Sequence, residues 1–142
     1  MLKKLVVLLI MVSVGAISSC EKKYSDIKVS RASITLSNGV NEDFDAIVGS
    51  SPEDNSQDYI IENVGTKDLT ISSIKLSGTG SSAFTIDTKQ FTSGTVSVGN
   101  TITFSVLLKT STLGNYTASI DIESDAKDNN TFKLNLSGSV HQ

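Results

Sequence analysis

From Ile27 onward the chain alternates apolar and polar residues with a period of two. Tyr116, Ala118, Ile120 and Ile122 stand against Thr117, Ser119, Asp121 and Glu123. Phe132, Leu134 and Leu136 repeat the pattern against Lys133, Asn135 and Ser137, as do Ile102, Phe104, Val106 and Leu108 against Thr101, Thr103 and Ser105. Tyr59 and Ile61 alternate with Asp58 and Glu62. Such patterning marks strands with one dry face and one wet face. The run from Leu69 to Leu76 changes phase at Ser72-Ser73, which predicts a bulge or a corner between sheets. Turn formers separate the runs: Asn38-Gly39, Val64-Gly65, Gly78, Gly80, Gly94, Val98-Gly99, Leu113-Gly114-Asn115 and Asp128-Asn129-Asn130. With no stripe of helical period, the pattern predicts an all-β sandwich or barrel. Strands are expected near 27–36, 45–48, 57–63, 69–76, 83–86, 101–108, 115–123 and 131–139, and 37–56 is the least defined stretch.

The N-terminal segment follows another rule. Lys3 and Lys4 precede an unbroken apolar run from Leu5 to Val12, and small residues then lead to Cys20. The run is shorter than the roughly 20 apolar residues that cross a bilayer, and its flanks are those of a secretory signal. The segment resembles a bacterial lipoprotein signal: Ile17, Ser18, Ser19 and Cys20 fit the lipobox, with an aliphatic residue three positions before the cysteine. That resemblance implies removal of residues 1–19, a diacyl group on the Cys20 sulfur and a further acyl chain on its new amine. An ordinary cleaved signal that contains a cysteine is the alternative. Two or more acyl chains hold a protein stably at a membrane where one does not. Glu21 stands where Asp is the better-known inner-membrane retention signal, so the outer membrane is favoured over the inner within the bacterial cell envelope. Residues 20–26 are expected to form a lipid-anchored tether reaching roughly 20–25 Å. The domain is expected over 27–140, with 141–142 as a tail.

Composition narrows the chemistry. The 142 residues include one Cys, one His, one Pro and no Trp, with a formal charge of −3. Loss of Lys3 and Lys4 with the signal leaves 123 residues and a formal −5. An acidic chain is a poor nucleic-acid binder. One Cys cannot form an intrachain disulfide or a thiolate zinc cluster, and one His cannot anchor a multi-histidine site. His141 reads as part of the tail, no Gly-x-Ser-x-Gly elbow occurs, and Asp121 and Glu123 fall on a solvated strand face. The chain is therefore expected to be no enzyme, with no catalytic residue, no metal and no cofactor beyond covalent lipid on Cys20. Glu42, Asp43 and Asp45, and separately Asp125, Asp128, Asn129 and Asn130, offer oxygen ligands for Ca²⁺ without EF-hand spacing; they read as turn residues. A sugar platform finds few aromatics: Tyr59 and Tyr116 fall inward, Tyr24 lies in the tether, and Phe84 and Phe91 read as packing.

A family resemblance covers residues 27–140. It rests on Asp43-Phe44-Asp45, Val48-Gly49-Ser50, Ile61-Glu62-Asn63-Val64-Gly65-Thr66, the run from Leu69 to Gly78, Phe84-Thr85-Ile86, Val98-Gly99, Ile102-Thr103-Phe104, Gly114 and Leu136-Ser137-Gly138. These residues resemble the choice-of-anchor D domain, similar to the ASPM–SPD-2–Hydin and Hydin-like immunoglobulin-type modules. The resemblance implies an immunoglobulin-like antiparallel sandwich of about seven to eight strands, related in shape to major-sperm-protein and PapD-like folds. It carries over no catalytic residue. The function expected is a lipid-anchored binding or scaffolding module with a protein partner, whose exposed sheet edges could accept a strand. A glycan-binding accessory lipoprotein is the alternative, and an unusual carboxylate hydrolase the third reading.

Overall fold

Ten strands form from these runs in a computed structural model that describes residues 21–88, 91 and 94–142. The signal segment and the lipobox residues Ile17, Ser18, Ser19 and Cys20 lie outside the described residues. The strands are β1 (Ile27–Arg31), β2 (Ile34–Thr35), β3 (Val40–Ile47), β4 (Ser56–Asn63), β5 (Leu69–Ser77), β6 (Phe84–Asp87), β7 (Gly94–Val96), β8 (Thr101–Leu108), β9 (Gly114–Ser124) and β10 (Thr131–His141). One sheet runs β2-β1-β4-β8-β6 and the other β3-β10-β9-β5-β7. Their inner faces meet as a β-sandwich, with alternate side chains interdigitating in the core.

The expected strands form, with informative differences. The stretch 27–36 is a hairpin, because the chain reverses at Ala32 and Ser33, whose φ angles are 46° and 68°. β3 starts five residues earlier than expected. Its inward positions are Glu42, Phe44 and Ala46, and the charged residue at the first of these breaks the apolar rhythm. β7 has only three residues and one buried side chain, too little pattern to read. These additions raise the expected seven or eight strands to ten. β3 also runs parallel to β10, whereas every other pair is antiparallel. The phase change in β5 is a bulge: its register against β9 shifts between Ile71 and Ser73, and the strand stays in one sheet. His141 ends β10 opposite Ile47, so the expected tail shortens to Gln142.

Aromatic contacts tie the core together. Tyr59 stacks on Phe104 of the neighbouring strand with centroids 5.3 Å apart, and Phe44 meets Phe84 of the opposite sheet edge-on at 5.6 Å. Tyr116 donates its hydroxyl hydrogen back to Thr112 O at 3.0 Å, a tyrosine corner at the start of β9. Among the described residues, one charged group enters the interior. Glu42 of one sheet is 3% exposed, accepts from the Tyr59 hydroxyl at 3.0 Å and pairs with Arg31, both of the other sheet.

Candidate functional site

The sandwich has two ends with different contents. At the proximal end the N-terminal segment is strapped into the domain before β1 begins. Tyr24 O accepts from Thr66 N at 2.7 Å and Lys67 N at 3.0 Å, Asp26 O accepts from Val64 N, and Ser25 O accepts from Lys127 N. Ser25 is buried and its hydroxyl donates to Asp125 O at 2.6 Å. The expected tether of 20–26 is thus shorter than its length suggests, since Tyr24–Asp26 belong to the folded body.

At the distal end three open clefts share one feature, the 3-10 turn Pro52–Asn55 between β3 and β4. Ser51 caps this turn by accepting from Glu53 N at 3.3 Å, and Pro52 fits its first position because it has no N–H to satisfy. Asn55, buried beneath, donates to Ser50 Oγ and Ser51 O, both at 2.8 Å. Across the end, Thr110 O accepts from Gly49 N at 3.1 Å and Thr110 Oγ1 donates to Ser50 O at 3.3 Å. The loop is therefore pinned from both sides. The first cleft, about 530 Å³, is lined by Pro52 and Glu53 of the turn, Thr85 and Ile86 of the edge strand β6, and Ser105 and Leu107 of β8. A second holds Asp45, Asp54 and His141, and a third runs past Gly49, Pro52 and Lys109. In the first cleft, Ile86 and Leu107 beside the Glu53 carboxylate suit an apolar side chain flanked by a cationic or hydrogen-bonding group.

The residues singled out by sequence are dispersed. Alternation along β3 puts Glu42 inside and Asp43 and Asp45 outside, so their carboxylates do not converge. Asp125 accepts from Thr70 N at 2.8 Å, Asp128 faces Lys127, and Asn129 accepts from Asn38. Among the described residues no group of three or more His, Cys, Asp or Glu side chains is placed to hold a metal. Asp121 and Glu123 belong to a polar ladder on the outer face: Lys133 meets Asp121 at 2.9 Å, and Ser73 donates to Glu123. His141 Nδ1 lies 3.2 Å from Asp45, but Ser50, in the same cleft, donates its hydroxyl hydrogen to Ile47 O. Of the aromatics, Tyr59 and Phe84 are buried, Tyr116 and Phe91 are half-buried, and Tyr24 has Lys127 Nζ 5.3 Å from its ring centroid. Sequence reasoning did not find the distal clefts. The composition of Ser50-Ser51-Pro52-Glu53-Asp54-Asn55 was the only local signal of a turn there.

Comparison with known proteins adds a family and a shape. The family model described as HYDIN/CFA65/VesB-like, Ig-like domain matches residues 43–139. No curated protein matches the chain. Among solved structures, a protein of unknown function from Porphyromonas gingivalis is 11% identical with a TM-score of 0.60, over 82% of this chain and 47% of that one. This chain thus spans about half the length of that neighbour. The ASH/PapD-like domain 7 of human CEP192 is 18% identical with a TM-score of 0.55, covering 92% of this chain and 96% of that one. A family 123 glycoside hydrolase from Clostridium perfringens has a TM-score of 0.53 at 10% identity, over 81% of this chain and 27% of that one. At such identities the likeness is one of fold.

Proposed function

Starting from a chain that belongs to the HYDIN/CFA65/VesB-like family of immunoglobulin-like domains, we propose a lipid-anchored, non-catalytic binding module of the bacterial cell envelope. Within that family we read the order of its motifs as that of a choice-of-anchor D domain. Acylated Cys20 replaces the signal 1–19 as the anchor, and Glu21 favours the outer membrane. The observation that carries the reading is the division between ends: the chain leading to Cys20 enters at one, and the pinned clefts lie at the other. A module tethered in this way can offer its far loops to a partner.

The partner proposed is a protein. The cleft of about 530 Å³ runs along the edge strand β6, where an extended segment can lie, and its rim carboxylate Glu53, with Asp54 of the neighbouring cleft, favours a segment carrying Lys or Arg beside an apolar side chain. The packed aromatics disfavour a sugar platform. A photo-crosslinking residue placed at Glu53 in cells should capture one reproducible protein band, while the same residue at Glu123 on the outer face of β9 should not. No band at position 53, or equal bands at both, would contradict a distal protein site; signal on a glycan array would favour the alternative.

A further inference from the structure

The proximal end carries its own surface. We propose that this end rests directly on the bilayer, with Tyr24, Val64 and Val98 among the lipid headgroups and the distal clefts turned away. The proposal rests on the Cys20 lipid anchor proposed above and adds the orientation of the domain.

The reach of the tether limits how the domain can turn. Because Tyr24 is strapped to the turn Val64–Lys67, only Glu21, Lys22 and Lys23 separate Cys20 from the folded body. That length of chain spans at most about 14 Å. A strand of 11 residues such as β10 runs about 35 Å. A tether shorter than half the sandwich cannot let the module turn its far end to the lipid.

The surface near the tether is suited to the position. Tyr24, Val64 and Val98 are 37%, 43% and 50% exposed. Hydrogen bonds hold their loops side by side: Val64 N donates to Asp26 O, and Gly99 N donates to Asn63 O. Tyrosine, apolar in the ring and polar at its tip, is favoured at the boundary between lipid and water. Charge does not drive the contact. Within the folded body Lys67 faces Asp125 at 3.8 Å and Lys127 faces Asp128 at 4.0 Å, so attraction for anionic headgroups there is small. Lys22 and Lys23 of the tether add to it without setting which face of the domain meets the lipid. The distal end also exposes Ile47 and Leu113, but these lie at the opposite end from the Tyr24 strap.

The full chain, purified from the membranes of an expressing bacterium, is reconstituted in phosphatidylethanolamine–phosphatidylglycerol vesicles. An environment-sensitive fluorophore is placed by Val98→Cys or Leu113→Cys, with acylation of Cys20 leaving the new thiol as the only reactive one. Expected is a blue-shifted label at 98, several-fold less quenched by aqueous iodide than the label at 113, and quenched by a nitroxide lipid labelled near its headgroup. The difference should persist at high salt. A chain that floats with the vesicles but shows equal iodide quenching at both positions would overturn the orientation. Failure to float would overturn the anchor and the orientation with it.

Discussion

Asn63 holds its turn with one amide. It is fully buried; Nδ2 donates to Lys67 O at 2.9 Å and Val96 O at 2.8 Å, while Oδ1 accepts from Gly65 N at 2.9 Å. Without that side chain the three backbone groups would lose their partners in the interior, where each unmet bond costs about 1–3 kcal/mol. Gly65 is equally constrained, since a Cβ there would lie 2.5 Å from Tyr24 O. The Asn-Val-Gly motif thus fixes both the turn and the N-terminal strap. Tyr59 shows a different economy. Burial first, then the adjacent Glu42 carboxylate and its hydrogen bond, push the phenol above its ordinary range, with Arg31 opposing. Because the folded value is raised, the linked stability is whole below a free phenol's value of about 10 and is lost as pH climbs toward the folded value. In urea titrations Tyr59→Phe should cost about 1–2 kcal/mol at neutral pH, since Glu42 loses a donor. That gap should narrow above pH ~10, because the variant lacks this titration. Parallel stability curves from neutral to alkaline pH would contradict the linkage.

Among the elements, the β1–β2 hairpin departs furthest from its sequence. Arg31 and Ile34 pair across a two-residue loop, Ala32-Ser33, with both φ angles positive, the geometry that Asn-Gly normally supplies. Left-handed backbone costs an ordinary residue roughly 1–2 kcal/mol. Replacing Ala32-Ser33 by Asn-Gly should therefore raise the stability by about 1 kcal/mol, measured by urea denaturation; an unchanged or lower midpoint would mean that the loop is not strained. The same elements show what was legible. β4, β5, β8, β9 and β10 could be read almost to their ends, because period-two burial writes itself directly into residue choice. β2 was hidden because its loop lacks turn residues. The first half of β3 was hidden because Glu42 occupies a core slot, its charge met by Arg31 and Tyr59 from the other sheet. The distal clefts were illegible for a related reason: they depend on contacts such as Ser50 with Thr110, 60 positions apart in the chain.

At the scale of the whole molecule, parallel pairing of β3 with β10 decides what lies where. It carries β3 from the proximal to the distal end, so the 3-10 turn at Pro52–Asn55 sits beside the loop after β8 and far from the strapped N-terminus. Anchor and clefts are thereby separated by the length of the strands. Anchoring and orientation both depend on the proposed fatty-acylated Cys20 as the first residue of the mature chain. Intact-mass and N-terminal peptide spectrometry of the protein extracted from bacterial membranes tests this most directly. The expected species begins at Cys20 and carries a diacylglyceryl group and an amide-linked acyl chain. A chain that retains residues 1–19, or one with an unmodified thiol at Cys20, would contradict it.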